Sequence, residues 1–354
     1  MQPTSAHNNN FDFLRLLFAS FVILTHAYAL LGHIEGDPLY AHSGRVFSEI
    51  GVCGFFVISG YLIHQSLGRS RTLFSFARKR LRRLFPGLLI AVLFTTLVLG
   101  PAVSSLPPIA YFSQKDTWLY ALDNSLLLPR HQTLPGVFSN HVETAVNGSL
   151  WTLRYEILCY GLLSLLFRAS VPAQKRILPV VFLLLLCSYY VLHHGLLPLS
   201  GGWSKFLLYV ASLGSYFTAG ALLSLFPAFL QRYKSRLLLF SGLLFLLTLF
   251  VRQPGMEIVT IPAFAVAVIA FGLHYMPALQ FSRFTGDISY GTYIYAYPLQ
   301  QALIVWLQPQ QPLMLLLASL PLCWLAGLLS WHLVEKRFLR SPSAPTREGI
   351  GLSR

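Results

Sequence analysis

The chain has 354 residues, 55% of them hydrophobic and only 11% charged, and a mean hydropathy of +0.60; this composition excludes water as its main solvent. A formal net charge of +14 would direct a soluble protein towards nucleic acid, but here the cations sit between long apolar runs, so no nucleic-acid partner is expected. A bilayer core about 30 Å thick takes ~20 apolar residues per helix, which leaves room for about ten spans joined by short loops.

In chain order the apolar runs cover 11–31, 46–68, 84–104, 150–167, 177–195, 203–226, 237–251, 256–276, 288–307 and 312–334. They predict an all-α, polytopic integral membrane protein whose main partner is the lipid bilayer. The first ten residues lack a basic n-region and no small-residue cleavage site follows, so the first helix is expected to stay in the mature chain. Pro254 and Gly255 turn the chain back between the seventh and eighth runs. Nineteen Lys and Arg lie in the connections of one side, with Arg69, Arg71, Arg78, Lys79, Arg80, Arg82 and Arg83 in one stretch, against six on the other side. The positive-inside rule then predicts both termini in the cytoplasm and the long loop 105–149, with His131, His141 and four prolines, on the outer face, where its length suits a lid. Residues 1–340 read as one transmembrane domain and 341–354 as a short disordered cytoplasmic tail. Cys53, Cys159, Cys187 and Cys323 each lie in an apolar stretch without CxxC spacing and read as packing residues.

Ionisable residues inside apolar helices cost about 2.5–3.5 kcal/mol each at mid-bilayer, so each is a functional suspect. The first run, FDFLRLLFASFVILTHAYAL, carries Asp12, Arg15 and His26. The step from Arg15 to His26 is about 1,100° of helical rotation, so the two share a face within ~20° and stand ~16 Å apart along the axis. His26 is the candidate general base, because an imidazole titrates near neutrality and accepts a hydroxyl proton; the bland alternative is a buried histidine hydrogen-bonded to a neighbouring helix. Arg15, near the helix end, alternatively snorkels to the interface.

The second run holds GVCGFFVISGYL, whose Gly51, Gly54, Ser59 and Gly60 form a small-residue face for close helix contact. In FARKRLRRLFP a spacing of three puts Arg80 and Arg83 on one helical face, where two guanidinium groups can clamp phosphate oxygens. Topogenic charge accounts for the loop as a whole but gives no reason for paired arginines just before Pro86. The stretch NGSLWTLRYEILCYGLL places Glu156 inside an apolar segment, where an unpaired carboxylate takes up a proton; a partner such as His26 or an arginine is expected. Arg154 reads as an interfacial anchor. The late run GDISYGTYIYAYPLQQ offers Tyr290, Tyr293, Tyr295, Tyr297, Gln300 and Gln301, either as a sugar-stacking surface or as an interfacial aromatic belt.

The ordered set DFLRLLFASFVILTH, GFFVISGYLI, RLRRLFP, SLWTLRYE and ISYGTYIYAYP, spread over nearly the whole chain, resembles the membrane acyltransferase-three family of bacterial O-acyltransferases. The resemblance implies about ten helices and cytoplasmic termini, the topology that charge predicts independently. It matches Arg15 and His26 to the family's arginine and histidine, Arg80 and Arg83 to its RxxR pair, and Trp151 and Glu156 to its tryptophan-to-glutamate segment. It implies a catalytic His26, a site role for Glu156, and arginines that handle an acyl-CoA donor, acetyl-CoA foremost, with no metal. Ala296 stands where many members carry a histidine, which argues against catalysis by that segment. The YGTYIYAYP version resembles the subgroup that decorates polysaccharides and lipo-oligosaccharides, without the extracytoplasmic esterase-like domain of longer members.

The expectation is therefore a bacterial inner-membrane O-acyltransferase that moves an acyl group, acetyl foremost, from acyl-CoA to a hydroxyl of a surface polysaccharide, lipopolysaccharide or other glycan. His26 either deprotonates that hydroxyl or carries the acyl group covalently; the residues leave both open. The rival from another class is a transporter or flippase of a lipid-linked sugar, or of acyl groups for a partner enzyme. Such proteins commonly show inverted repeats, and none is visible here.

Overall fold

The computed structural model describes residues 9–128, 130–197, 201–251 and 253–339, and among them every regular element is a helix. The longer ones are α1 (Phe11–Ala29), α2 (Phe47–Gly68), α3 (Leu73–Phe94), α4 (Lys115–Ser125), α5 (Trp151–Ser164), α6 (Val171–His193), α7 (Gly202–Leu223), α8 (Pro227–Phe250), α9 (Glu257–Leu273), α10 (Ser289–Leu307) and α11 (Pro312–Ser330). A π-helical turn at Thr95–Leu99 prolongs α3 to Val103, and another at Trp331–Glu335 prolongs α11 to Leu339. The expected tail 341–354 lies outside the described residues, as do Pro129, Arg252 and Arg340.

Among the described residues seven helices are long and apolar enough to cross a bilayer: α1, α2, α3 and α11 with their extensions, α6, α7 and α8. An eighth results if α9 and residues 277–285, bent by 100° against it, form one broken span. The chain is thus a multi-pass membrane protein. Two expected runs fall outside this set for separate reasons. Run 150–167 gives α5, whose 14 residues are short of a full crossing. Run 288–307 gives α10, rich in Tyr and Gln and buried without a break from Ser289 to Leu303, and a helix enclosed by other helices needs no lipid-compatible surface.

The third run also starts earlier than hydropathy indicates. Thr72 and Ser75 form a reciprocal capping box, with each backbone N–H bonded to the other's hydroxyl at 3.3 and 3.0 Å. Residues 73–83, expected as loop, are therefore the first three turns of α3, and Arg80 and Arg83 sit on the helix that enters the bundle. Their charges lower the window average without preventing the helix, because arginine is a good helix former.

The small residues of α2 set the packing, but from two sides of the helix and not from the one face expected. A Cβ on Gly60 would lie 1.8 Å from the Phe217 carbonyl oxygen, and one on Gly220 would lie 2.1 Å from that of Val57, so α2 and α7 touch backbone to backbone. Gly51 and Gly54 bring α1 in on another side, where added Cβ atoms would fall within 2.6 and 2.2 Å of Phe18. The expected lid is instead a folded cap fixed to α10. Pro298 has no N–H to satisfy the Ile294 carbonyl, and Asn147 Nδ2 donates to that orphan at 2.8 Å. One turn on, Gln301 Nε2 donates to the Glu143 and Ala145 carbonyls at 2.6 and 3.1 Å, and its oxygen accepts from His141 Nδ1 at 2.6 Å.

Candidate active site

Because α1 runs unbroken past both residues, Arg15 and His26 keep the separation of ~16 Å expected from helical rise. They open onto different cavities. Arg15, Ser59, Arg80, Arg83, Glu156 and Tyr160 surround one of about 110 Å³. His26, Glu49, Ser149, Trp151 and Tyr209 surround another of about 250 Å³. Val52 of α2 and Tyr293 of α10 line both and form the partition between them.

Around the first cavity most of the charge is answered. Asp287 Oδ2 accepts from Arg15 Nη1 at 3.1 Å and from Arg83 Nη2 at 2.6 Å. Arg83 Nη1 also reaches Glu335 Oε2 at 3.0 Å, and Arg15 reaches Asp12 at 3.2 Å. Burial alone would raise the pKa of Asp287, but the two guanidinium groups and the Ser289 hydroxyl outweigh it and hold this carboxyl below its ordinary range. Glu335 is 1% exposed and its other oxygen accepts from Ser330 Oγ at 2.9 Å. Arg83 completes its surroundings with the Tyr290 and Trp331 rings, at 5.8 and 5.7 Å. Asp287 and Glu335 were not among the residues singled out from sequence. The available signal was a carboxylate at each edge of an apolar run, in TGDISYG and HLVEKR.

Arg80 differs from its neighbour three residues on. It has one long hydrogen bond to Ser66 Oγ at 3.4 Å, and its Nε is buried with no partner. Among the described residues it forms no ion pair. Glu156 accepts from Ser59 Oγ at 3.0 Å and from the Tyr160 hydroxyl in a short bond. The expected partner of Glu156, His26 or an arginine, is therefore corrected: hydroxyls on α2 and one turn along α5 satisfy the carboxylate, it forms no ion pair among the described residues, and His26 belongs to the neighbouring cavity.

The His26 ring stands edge-on to Tyr297 with centroids 5.0 Å apart, and its Nδ1 is buried without a hydrogen-bond partner. The hydrogen bond to a neighbouring helix that a purely structural histidine would be expected to make is therefore missing at Nδ1. The Ser149 hydroxyl, in the same cavity, is also buried and unpartnered. Close contact brings that segment here, since a Cβ on Gly148 would fall 2.5 Å from the Tyr297 ring. The late tyrosines and glutamines form neither an aromatic belt nor an open sugar surface. Tyr290 donates to the Leu84 carbonyl at 2.7 Å, Tyr293 to that of Ser149 at 2.9 Å and Gln300 to that of Ile23 at 2.9 Å, tying α10 to α3, to the cap and to α1. Ala296, in their midst, is fully buried.

A third, polar cavity of about 760 Å³ lies under the cap and shares Trp151 and Tyr209 with the His26 cavity. The three form a series: polar vestibule, imidazole, then arginine cavity. Such a series lets a ligand held by cations meet, near the partition, a hydroxyl arriving from the cap side, with the imidazole beside it to take a proton.

Comparison with known proteins points the same way. A family model described as an acyltransferase domain matches residues 8–333. A protein named O-acetyl transferase from Shigella phage Sf6 is 29% identical over 338 residues, covering 95% of this chain and 97% of its own length. Nodulation protein 10 of Rhizobium leguminosarum bv. viciae is 29% identical over 365 residues, covering 95% of this chain and 94% of its own. No solved structure matches the chain.

Proposed function

The chain belongs to the acyltransferase family whose domain spans it, and from that premise we propose that it is an inner-membrane O-acetyltransferase using acetyl-CoA as donor and a glycan hydroxyl as acceptor. The observation that carries this reading is the shared partition: Val52 and Tyr293 border both the cavity with three arginines and the cavity with an unpartnered histidine. The arginine cavity, at about 110 Å³, is far below the ~300–1,000 Å³ that encloses a drug-sized ligand. It therefore suits the narrow thioester arm of the donor, with the phosphates of the nucleotide end at the basic first turns of α3. Arg80 is the cation with charge to spare for them; Arg15 and Arg83 shape the same wall.

In the transfer itself, His26 accepts the acceptor's hydroxyl proton as that oxygen bonds to the acetyl carbon. The carbon–sulfur bond of the thioester then breaks, the CoA thiolate leaves, and the imidazolium returns the proton to it. Glu156, with the hydroxyls of Tyr160 and Ser59, supports the donor side of the partition. In the proposed topology residues 1–340 form one domain of about ten helices with both termini cytoplasmic and the cap outside, so donor and acceptor approach from opposite faces.

The test is CoA release by the purified protein supplied with acetyl-CoA and glycan, followed by mass spectrometry of surface glycans with and without the gene. Release together with a gain of one acetyl mass on the glycan supports the reading. Movement of sugar or acyl groups across vesicles without thioester consumption would identify a transporter and overturn it. A reporter after Leu339 should read cytoplasmic and one at Gly136 extracytoplasmic.

A further inference from the structure

An apolar groove beside the acceptor route is still without a role. It lies between α5, α6 and α7, has a volume of about 340 Å³, and is lined by leucines of α5 and by Ile177, Val181 and Leu213. Leu162 and Leu165 on its edge are 53% and 79% exposed, so the groove opens sideways where the bilayer would be. It is continuous with the acceptor route. Tyr209 lines the groove, the His26 cavity and the polar vestibule alike, and Leu213 lines the first two.

The upper end of the groove carries positive charge. Tyr155, which lines the groove, has the Arg154 guanidinium over its ring at 4.8 Å and accepts from Nη2 through its hydroxyl at 3.1 Å. Arg154 Nε is buried without a hydrogen-bond partner, and among the described residues neither Arg154 nor Lys205 forms an ion pair. Both line the vestibule, where Glu143 is the single carboxylate. A hydrocarbon slot open to lipid, two cations at its mouth, a polar chamber beyond them and a histidine next to that chamber follow in the order of one kind of molecule.

Resting on the acetyl-transfer reading above, we propose that the acceptor is a saccharide carried on a phosphate-linked, long-chain isoprenoid lipid. Its tail lies in the α5–α6–α7 groove, its phosphate at Arg154 and Lys205, and its sugar in the vestibule with a hydroxyl at His26. An ordinary phospholipid would use the slot and the cations but leave the polar chamber without a sugar. The arrangement also gives Arg154 a ligand, beyond the interfacial anchoring that its position alone suggests.

The experiment is native mass spectrometry of the full-length purified protein with a long-chain polyisoprenyl phosphate as probe and phosphatidylglycerol as competitor. The probe should stay bound against an equal concentration of phosphatidylglycerol. Lys205→Gln and Arg154→Gln should each lower retention by about tenfold, the factor for one charge-assisted contact. Val181→Trp, which fills the groove away from His26, should lower it by at least as much. Lys205 is exposed, so its variant folds even if a groove variant does not. Equal displacement by phosphatidylglycerol, or wild-type retention in Lys205→Gln, would overturn the proposal. Thioester consumption, measured on the same preparation, separates the two readings. A protein that releases CoA but does not hold the probe sinks this inference alone, and one that holds the probe without consuming acetyl-CoA sinks the transferase reading and with it the acceptor role, leaving lipid binding only.

Discussion

The surroundings of Arg83 and of His26 follow opposite electrostatic plans. Arg83 meets two carboxylates and two aromatic faces, and those carboxylates are bonded in turn to Arg15, Ser289 and Ser330. His26 and Ser149 each keep a buried polar atom with no partner, and Arg80 does the same at the arginine cavity. An unsatisfied buried polar group costs about 1–3 kcal/mol, so a fold keeps several around one path where a ligand supplies the missing partners. The saturated network holds α1, α3, α10 and the end of α11 together, whereas the unpartnered atoms of Arg80, His26 and Ser149 belong to residues that line the two cavities. Motif position does not make this distinction, since Arg80 and Arg83 are three residues apart on one helix.

The largest effect should come from the unsaturated side. His26→Gln should lower acetyl transfer by about 10²–10⁴-fold, the usual contribution of general-base catalysis, with thermal stability in detergent near that of the native protein. Glutamine keeps hydrogen-bonding capacity but cannot accept a proton near neutral pH. Retention of most activity would make His26 a packing residue and move the search for the base to Glu156.

On the saturated side the effect should be on folding. Arg83→Ala leaves Glu335, 1% exposed, and Asp287, 13% exposed, without their main cation, a loss on the order of 3 kcal/mol in stability. It should appear as a lower unfolding temperature and poor recovery from membranes. Adding Glu335→Gln should restore part of the loss, because it removes one orphaned charge. A stable Arg83→Ala protein with only a raised KM would show that the network is a donor site after all, and the contrast between the two regions would fail.

Sequence conveyed one half of this contrast and missed the other. Arg15, His26 and Glu156 stand out because an ionisable residue in an apolar run is costly, and the rotation of an uninterrupted helix places the first two on one face. That the glycines of α2 make close helix contacts was readable for a similar reason, since small residues in a span have few other uses, but not that they serve two sides of the helix. What saturates Arg83 was not readable. Its carboxylates lie 204 and 252 residues away, and Glu335 sits at the end of a π-helical turn that no hydrophobic period reports. Pro298 announces an orphan carbonyl at Ile294, but that Asn147 answers it depends on how the cap folds. Hydropathy also hid the start of α3, because the arginines in its first turns lower its score.

The smallest effect is the most discriminating, because it divides two arginines that spacing treats as a pair. Arg80→Ala removes a guanidinium with one long bond and no carboxylate, so stability should change little. Its loss should appear as a rise of about tenfold in KM for acetyl-CoA with kcat nearly constant, the signature of a binding contact made equally in ground and transition states. Arg71→Ala, at the start of the same basic stretch and exposed, should be nearly silent. The decisive comparison uses acetyl-pantetheine, which keeps the thioester and arm of the donor but lacks its phosphates. If Arg80 holds a phosphate, the native protein and Arg80→Ala should use this truncated donor equally poorly, because the group that Arg80 would hold is absent from both reactions. If Arg80→Ala is still worse with acetyl-pantetheine, the guanidinium acts on the arm or on Glu156, and the phosphate contact must be sought elsewhere on the first turns of α3.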